Sequence, residues 1–424
     1  MKTSTFITKV TLRNYKSIAS CEVQLRPLMF LVGPNGAGKS NFLDSLRFVA
    51  DALNSSLDHA IRDRGGINDV RRRSGGHPNH FSIRLDFILP DGATGHYAFR
   101  ISARPPGEYE VQREECRLWS AQFPTQEEYF HVKNGTVTEK SVGVAPAATK
   151  DRLYLVNASG LEEFRPVYEA FSQMGFYSLN PDKIRDLQSP DPGDLLIRDG
   201  SNLASVLAQL SPSVKERIEK YLAAVVPGVH GVKVKEIGPK ETLEFRQDVA
   251  GSRHPWRFLA NNMSDGTLRV LGILVALFQA SSSRPRIKGN HDSKKPVLLV
   301  GIEEPEIALH PAAAGVLLDG LRDAANNTQI ILTSHSPDLL DDKELDSELI
   351  LAVEARNGNT VIAGIDEAGR SAVHDRLYTT GELLRIDQLQ PDPVSIDAAK
   401  TKQLHLFDFE KGNPSRSKKK DRNR

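Results

Sequence analysis

The chain has 424 residues, of which 39% are apolar, and its 55 Lys and Arg nearly balance its 54 Asp and Glu. This composition allows a large core and excludes a uniformly basic nucleic-acid-binding body, so any contact with nucleic acid must come from a local patch. Two cysteines are too few for a disulfide scaffold and fit a reducing compartment. The opening Met1–Thr8 lacks a signal-like apolar segment, and the most apolar stretch, Val270–Phe278, is far shorter than the roughly 20 residues that span a bilayer. We therefore expect a cytoplasmic protein with no membrane contact.

The first half of the chain is dominated by strand-like patterns. Alternating apolar residues predict early strands at Phe6–Leu12, Glu22–Arg26 and Leu28–Val32. A glycine-rich turn follows, and then Phe42 and Leu46 have helical spacing. Further strands are predicted at Phe81–Leu89, His96–Ser102, Tyr109–Trp119 and Tyr129–Lys133.

Beyond Leu161 the pattern becomes helical, returns to strands and then alternates. We expect a helix capped by Ser201, a second helix at Val214–Val226, and strands at Val232–Ile237 and Thr242–Gln247. The later elements are a helix at Val270–Ala280, a strand at Val297–Ile302, a helix at Ala312–Ala325 and a strand at Gln329–Thr333. This alternation predicts an α/β fold with a parallel sheet and helices on its faces.

The glycine-rich turn Gly33–Ser40 matches G-x-x-x-x-G-K-[ST] at each fixed position, between a predicted strand and a predicted helix. Its glycines let backbone N–H groups turn inward around phosphates, and the following helix directs its positive end toward them. Lys39 then reaches the β- and γ-phosphates and Ser40 binds Mg²⁺, so ATP and Mg²⁺ are the expected cofactors. A chance glycine-rich turn is disfavoured by the flanking strand and helix. The expected nucleotide-binding residues are Gly33, Pro34, Asn35, Gly36, Ala37, Gly38, Lys39, Ser40 and Asn41.

Acidic residues follow the apolar run Val297–Ile302, in the manner of a Walker B strand. A buried strand of this kind would place its terminal carboxylates at the sheet edge beside the glycine-rich turn. We expect Glu303 to hold the Mg²⁺ shell and Glu304 to orient or deprotonate the attacking water. An ordinary acidic turn is the alternative.

A histidine ends the next apolar strand. His335 follows Ile330–Ser334, and if that strand belongs to the same sheet the imidazole can reach a γ-phosphate. A structural or merely exposed histidine is the alternative.

A small-residue turn, Ser264–Thr267, opens the helix at Val270. Backbone N–H groups and the helix dipole make such a turn a second anion site, with Ser264 and Gly266 as its binding residues. A plain helix cap is an equally good interpretation.

These motifs in this order resemble the RecF/SMC-type branch of the ABC ATPase superfamily, and within it the compact AAA-type ATPases of DNA repair and phage defence. The resemblance includes the opening Leu12–Ile18, a D-loop at Leu309–Pro311 and the motifs above. It implies that Glu304, His335 and Lys39 are catalytic and that the signature of one subunit contacts the γ-phosphate held by the other, so a homodimer is expected. Arg13 and Lys16 match a family segment packed beside the nucleotide.

Three departures limit this resemblance. Glu303 stands where an Asp is commoner, and Asp265 and Thr267 replace residues of the usual signature. No Q-loop glutamine can be assigned, since Gln112, Gln122, Gln173 and Gln188 are all candidates. Between the two ATPase halves, 1–103 and 256–390, residues 104–255 show no sustained heptads and predict a compact inserted mixed α/β lobe.

The chain end, 391–424, is predicted to be a disordered basic tail, either a nucleic-acid contact or a solubilising extension. Within it, Gln403–Phe407 resembles the short peptide by which bacterial proteins dock on the replication sliding clamp. An apolar peptide of this kind is a docking element unless it packs on its own domain.

The overall prediction is an ATP-gated homodimeric ATPase linked to DNA, in repair or in defence. The OLD family carries a C-terminal Toprim nuclease domain, whereas the residues after His335 are few and show no clear second acidic cluster, so we expect a separate effector or nuclease partner. The main alternative is a slow ATP-gated scaffold that regulates a toxin or nuclease without binding DNA directly. A transporter ATPase is disfavoured by the Leu12–Ile18 opening.

Overall fold

A computed structural model describes residues 6–74, 78–122, 126–282, 297–307, 309–310, 313–396 and 405–408. The strands are, in chain order, β1 (Ile7–Tyr15), β2 (Ile18–Gln24), β3 (Leu28–Val32), β4 (His80–Ile88), β5 (Thr94–Arg104), β6 (Glu108–Trp119), β7 (Glu127–Lys133), β8 (Thr136–Lys140), β9 (Gly175–Tyr177), β10 (Val229–Ile237), β11 (Lys240–Gln247), β12 (Trp256–Leu259), β13 (Leu299–Glu303), β14 (Gln329–Ser334), β15 (Ile350–Arg356) and β16 (Asn359–Gly364). The helices are α1 (Lys39–Asn54), α2 (Leu57–Arg62), α3 (Ile67–Val70), α4 (Tyr154–Ala158), α5 (Arg165–Ser172), α6 (Pro181–Arg185), α7 (Leu203–Gln209), α8 (Pro212–Val225), α9 (Asp265–Phe278), α10 (Ala314–Ala324), α11 (Pro337–Leu340), α12 (Glu367–His374) and α13 (Thr380–Arg385).

Two large sheets and one small sheet organise these elements. The antiparallel sheet has seven strands in the order β2-β1-β4-β5-β6-β7-β8, and the small sheet has three, β10-β11-β12. The parallel sheet has six strands in the order β16-β15-β3-β14-β13-β9, and only its edge strand β16 pairs in the antiparallel sense. The predicted α/β fold with a parallel sheet is confirmed.

The parallel sheet lies between two hydrophobic cores, which explains why its strands read as continuous apolar runs. Met29 and Leu31 of β3 belong to a core shared with α1 and the inner face of the antiparallel sheet. Phe30 and Val32 of the same strand belong to the second core, together with α7–α10 and the small sheet. Every residue of β3 is therefore buried.

Side chains of the antiparallel sheet alternate between the first core and the opposite face. Along β5, Tyr97, Phe99 and Ile101 enter the first core, whereas His96 and Arg100 belong to the opposite face. Part of this opposite face is covered by the chain's own C-terminal segment, described below.

The predicted division of the chain at residue 104 falls within a continuous sheet. The predicted lobe 104–255 contains β6–β8, which extend the antiparallel sheet from β5, and β9, which is the edge strand of the parallel sheet. The small sheet and α7–α8 pack on the second core together with α9. Alternation in sequence identifies strands but not their partners, so it could not show that this segment divides between two sheets.

The chain end departs from the predicted free tail where the structure describes it. Pro391 forms a bridge with Ile365, and the Asp392 N–H donates to the Gly364 carbonyl over 2.9 Å. Leu406 and Phe407 are buried, at 2% and 1% exposure, in a cluster with Ala98 of β5. The described part of the clamp-like peptide therefore packs on its own domain; Gln403, Leu404 and residues 409–424 lie outside the described residues.

The two large sheets are joined at their ends by one fully buried amide. Gln329, the first residue of β14, accepts hydrogen bonds at Oε1 from the Ile7 N–H over 2.8 Å and the Phe6 N–H over 3.2 Å. Its Nε2 donates to the carbonyls of Ile7, over 2.9 Å, and Arg26, over 3.0 Å. One side chain thus supplies hydrogen-bond partners to backbone groups at the beginning of β1 and to the Arg26 carbonyl before β3.

We expect Gln329→Leu to lower the free energy of unfolding by about 3 kcal/mol, because it leaves several buried backbone groups without partners. Urea denaturation followed by circular dichroism measures this loss. Gln24→Leu, at an exposed end of β2, is the control and should change stability by less than about 0.5 kcal/mol. Equal stabilities for the two variants would show that the Gln329 amide does not join the sheets.

Candidate functional site

The glycine-rich turn lies at the carboxyl end of β3 and opens α1. Gly36 and Gly38 adopt left-handed backbone conformations, with φ of 77° and 105°, which only glycine takes at little cost. Lys39 is buried, and its Nζ donates to the carbonyls of Gly33, over 2.8 Å, and Pro34, over 3.1 Å. Ser40 is exposed at the first turn of α1.

The loop is held in this shape by β16, an element that the sequence motif does not include. Thr360 donates from Oγ1 to the Ala37 carbonyl over 2.9 Å and bonds with the Ser17 hydroxyl over 2.7 Å. Asn41 donates to the same Ser17 hydroxyl over 2.6 Å. A Cβ on Gly38 would lie 2.0 Å from Thr360 Oγ1, so this position requires glycine for packing as well as for φ.

Two glutamates leave the carboxyl end of β13. Glu303 is the last residue of that strand, and its Oε1 accepts a hydrogen bond from Arg198 over 2.8 Å. Glu304 has a left-handed φ of 45°, a strained conformation for a residue with a side chain, and its N–H still donates to the Thr333 carbonyl of β14 over 3.0 Å. Strain held in this way is common at functional sites.

His335 follows β14 directly and meets these acids. Its Nδ1 lies 3.2 Å from Glu304 Oε1, and both side chains are partly exposed. Glu306 is more buried, and its Oε1 accepts from the Ser334 hydroxyl over 2.7 Å and the His335 N–H over 3.2 Å. The turn after β13 is therefore fixed to the end of β14.

Because β3, β14 and β13 are parallel neighbours, their carboxyl ends bring the P-loop, His335 and the glutamates to one edge. Burial lowers the pKa of Lys39, whereas the carboxylates of Glu304 and Glu306 oppose that shift. The predicted catalytic residues Lys39, Glu304 and His335 therefore share one site. The hard oxygens of Ser40 and Glu303 are donors that suit Mg²⁺.

The signature turn caps its own helix. The Ser264 hydroxyl accepts from the Thr267 N–H over 3.2 Å and bonds with the Thr267 hydroxyl over 2.9 Å, and Asp265 pairs with Arg185. These contacts fit the plain-cap interpretation and do not test a second anion site. The predicted D-loop is only partly described, since Pro311 lies outside the described residues.

Arg13 and Lys16, predicted beside the nucleotide, occupy different surroundings. Arg13 is exposed on β1. Lys16 lies 2.5 Å from the carboxylate of Asp44, a buried residue of α1 that also binds Arg64 over 2.9 Å and accepts from the Tyr15 hydroxyl over 2.8 Å. Lys16 thus fastens the turn after β1 to α1, directly behind the P-loop.

Two arginines near the site, Arg198 and Arg269, were missed by sequence reasoning. Arg198 pairs with Glu303 from a loop distant in sequence, and nothing local indicates it. Burial lowers the pKa of the Arg269 guanidinium on α9, and the carboxylates of Asp265, Glu304 and Glu306 oppose that shift. The Nε of Arg269 is buried and has no hydrogen-bond partner. The four-residue spacing from Asp265 to Arg269 was the available signal.

β9 is the strand beside β13 in the parallel sheet. None of the four candidate Q-loop glutamines comes directly after the carboxyl end of β9. Gln112 lies within β6 and Gln173 precedes β9. Gln188 is buried, its side chain bound to backbone groups that include the Ala204 N–H and the Gly200 carbonyl. The residue that does follow β9 is Ser178, whose N–H donates to the Arg198 carbonyl over 3.0 Å.

The match to a known family model covers most of this architecture. Residues 28–341, from β3 to just beyond α11, match the family described as "AAA domain, putative AbiEii toxin, Type IV TA system". The chain belongs to this family. It has the fold of an ABC/SMC-type P-loop ATPase, and ATPases of this kind use ATP and typically Mg²⁺.

Curated relatives extend beyond this chain. The Old nuclease of Escherichia phage P2 is 23% identical over 364 residues, which are 80% of this chain and 57% of the relative. The OLD nuclease of Thermus scotoductus is 22% identical over 382 residues, 86% of this chain and 65% of the relative. The chain thus spans just over half to two thirds of the length of these relatives.

Solved structures show the same fold. An Smc head bound to the C-winged helix domain of ScpA superimposes with a TM-score of 0.51 at 14% identity, over 86% of this chain and 99% of that one. The Smc head from Pyrococcus furiosus with an extended coiled coil gives 0.54 at 11% identity, over 88% and 99%. No helix in the described part of the chain is both long and apolar enough to cross a membrane.

The Asp44 cluster predicts a defined acid dependence of stability. Burial alone would raise the pKa of Asp44, but Arg64, Lys16 and Arg47 hold it well below its usual range. Because the pKa of Asp44 is lower in the folded state than in the unfolded state, the charged carboxylate stabilises the fold. This stabilisation is complete above the unfolded-state pKa of about 3.9 and is lost as the pH falls below that value.

We expect Asp44→Asn to lower the free energy of unfolding at pH 7 by about 3 kcal/mol, because the buried Arg64 loses the Asp44 carboxylate and is left with the partly exposed Asp51 as a charge partner. Below about pH 4 the stability of the variant should also decline less steeply than that of the wild type. Urea melts from pH 3 to 7 measure both effects, with the exposed Asp319→Asn as the control. Parallel pH profiles for wild type and Asp44→Asn would contradict the assignment.

Proposed function

We propose that this chain hydrolyses ATP as an ATP-gated homodimer linked to DNA repair or anti-phage defence, with a separate effector protein. The supporting observation is the meeting of Lys39, Glu304 and His335 at the carboxyl edge of three parallel strands, with Glu304 in strained backbone geometry. A P-loop cation, a carboxylate that can accept the water proton and a side chain that positions this carboxylate are parts that phosphoryl transfer to water uses.

Each residue has a defined role in this proposal. The N–H groups of Gly33–Ser40 and the positive end of α1 bind the phosphates, and Lys39 moves from the loop carbonyls to the β- and γ-phosphates. Ser40 and Glu303 hold Mg²⁺, which neutralises charge on the phosphates when bound. Glu304 accepts a proton from the attacking water, and His335 positions Glu304 through the 3.2 Å contact.

The dimer completes the site in this proposal. The signature of one subunit, through Ser264 and Gly266, contacts the γ-phosphate held by the other, so ATP joins the two copies and hydrolysis separates them. Exposed apolar residues support an association surface around the site: Leu187, Ile197 and Ile307 are 51%, 47% and 39% exposed. Of these, Ile197 adjoins Arg198 and Ile307 follows Glu306.

The link to DNA and to an effector rests on relatives. Two curated relatives are named nucleases, and this naming supports a link to DNA and to a nuclease-type effector. A second candidate is favoured by the family description, which names a toxin of a toxin–antitoxin system. There the chain is a slow ATP-gated regulator of a toxin or nuclease; tight ATP-dependent capture of a partner with negligible turnover would identify it.

Glu304→Gln tests the catalytic base. We expect the steady-state ATPase rate to fall by about a hundredfold or more, because the amide cannot accept the water proton, while ATP binding is retained. Phosphate release and binding of a fluorescent ATP analogue measure the two properties. Glu344→Gln, which changes an exposed acid away from the site, is the control. Turnover that survives Glu304→Gln would overturn the role of this residue.

Ser264→Arg tests the composite site. Light scattering should show that Glu304→Gln accumulates an ATP-bound dimer, and that adding Ser264→Arg returns it to monomer by placing a bulky side chain where the second subunit's phosphates approach. A matched Ser213→Arg change on exposed α8 should leave the dimer intact. If neither Glu304→Gln nor wild type changes mass with ATP, the trans arrangement is wrong.

A further inference from the structure

Glu303, the predicted Mg²⁺ ligand, has a cationic partner from outside the nucleotide motifs. Arg198 donates from Nη2 to Glu303 Oε1 over 2.8 Å. Both side chains are partly exposed, at 47% for Arg198 and 28% for Glu303. The two residues are 105 positions apart in the chain, so the pair is a product of the tertiary structure and not of a local turn.

The backbone of Arg198 is fixed beside the strand next to β13. Ile302 of β13 lies level with Tyr177 of β9, and the residues that follow them are Glu303 and Ser178. The Ser178 N–H donates to the Arg198 carbonyl over 3.0 Å. This hydrogen bond therefore brings Arg198 to the level of Glu303.

The turn that carries Arg198 is held on both sides by hydrogen bonds. The Asn180 N–H donates to the Asp199 carbonyl over 3.0 Å. On the other side, the Asn202 amide accepts from the Ile197 N–H over 2.8 Å. A hydrogen-bonded backbone thus determines where the guanidinium starts, and the contact with Glu303 does not depend on a free loop.

The segment before this turn packs closely on α9. Leu179 and Ile184 are buried in the second core. A Cβ on Gly272 of α9 would lie 2.8 Å from Leu179 and 3.3 Å from Ile184, so the helix and the segment approach each other as closely as a glycine allows. This packing joins the segment that leads to Arg198 to the core of the domain.

The ion pair itself is one that another cation can replace. A half-exposed ion pair contributes little stability, because water solvates both partners once they separate. The guanidinium of Arg198 keeps its charge throughout the physiological pH range, so the pair is not lost through deprotonation. Only a competing cation or a competing anion can then separate Arg198 from Glu303.

Mg²⁺ and Arg198 require the same carboxylate. Mg²⁺ holds its ligands at about 2.0–2.1 Å in near-octahedral geometry. The Arg198 nitrogen lies 2.8 Å from one oxygen of Glu303, and positive charges this close repel each other strongly where the protein limits the access of water. Arg198 therefore opposes metal binding while it keeps this contact.

We propose that Arg198 and Mg²⁺ are alternative partners of Glu303, so that Arg198 sets the Mg²⁺ concentration at which the site takes up its metal. This role rests on the proposed function, in which Glu303 holds Mg²⁺. Arg198 acts through Glu303 and is therefore a positioning residue: it holds the carboxylate at low Mg²⁺ and releases it at high Mg²⁺. The chain thus carries its own competitor for the metal, on a segment outside the P-loop, the acidic turn and the signature.

The test is a Mg²⁺ titration of the full chain with a fluorescent, non-hydrolysable ATP analogue, in which anisotropy reports nucleotide binding. We expect Arg198→Gln to lower the midpoint Mg²⁺ concentration about fivefold, which corresponds to the upper end of the strength of exposed ion pairs. Arg198→Lys keeps a cation that can reach the carboxylate and should stay within about twofold of wild type. Thermal melting checks that each variant is folded.

The matched control is Lys183→Gln, which removes one positive charge from an exposed position of α6 in the same segment. The midpoint should not change, because Arg198 and Glu303 are both retained. A midpoint for Arg198→Gln equal to or above that of wild type would overturn the proposal. An equal fall in Lys183→Gln would also overturn it, because the effect would then come from overall charge.

Glu303→Gln separates this proposal from the proposed function. If Glu303 holds Mg²⁺, this variant should raise the midpoint by about tenfold or more, because an amide oxygen is a weaker ligand than a carboxylate. A raised midpoint in Glu303→Gln with an unchanged one in Arg198→Gln overturns the role of Arg198 alone. An unchanged midpoint in Glu303→Gln overturns the metal assignment, and the role of Arg198 with it.

Discussion

The parallel pairing of β3, β14 and β13 is the constraint on which the site depends. Leu332 of β14 lies between Phe30 of β3 and Ile302 of β13, and this register brings the ends of the three strands to the same level. Since successive residues of these strands face two different cores, a shift by one residue would exchange the two apolar faces, and the register is accordingly well specified. The P-loop, the acidic turn and His335 are attached to strands whose relative positions the cores determine.

Contacts between different elements hold the surroundings of this edge. Asp44 of α1 binds Lys16 and Arg64, and Glu303 binds Arg198, whereas at the opposite end of β14 the Gln329 amide binds backbone groups. Removing one partner from a buried pair costs more than the pair contributes, so these contacts fix the loops behind the P-loop more firmly than apolar packing alone.

Family membership establishes the fold of this protein, whereas the geometry of its site supports the proposed chemistry. The family match and the Smc-head likeness establish a P-loop ATPase fold, whereas identities of 22–23% to nucleases that extend beyond this chain do not transfer an activity to it. Chemistry is instead argued from the contact of His335 with Glu304, from the strained Glu304 and from the position of Lys39.

The sequence by itself determined the local elements and the chemical motifs. Gly33–Ser40, Glu303, Glu304 and His335 were identified because each follows an apolar run, and apolar runs report burial directly. Tertiary structure decided which elements pair. β9 joined β13 in the parallel sheet, Phe407 packed under Arg100, and Arg198 met Glu303, each across a long sequence separation. Side-chain alternation specifies which face of a strand is apolar but carries no information about its neighbour, so these pairings depend on how the whole chain buries its apolar surface.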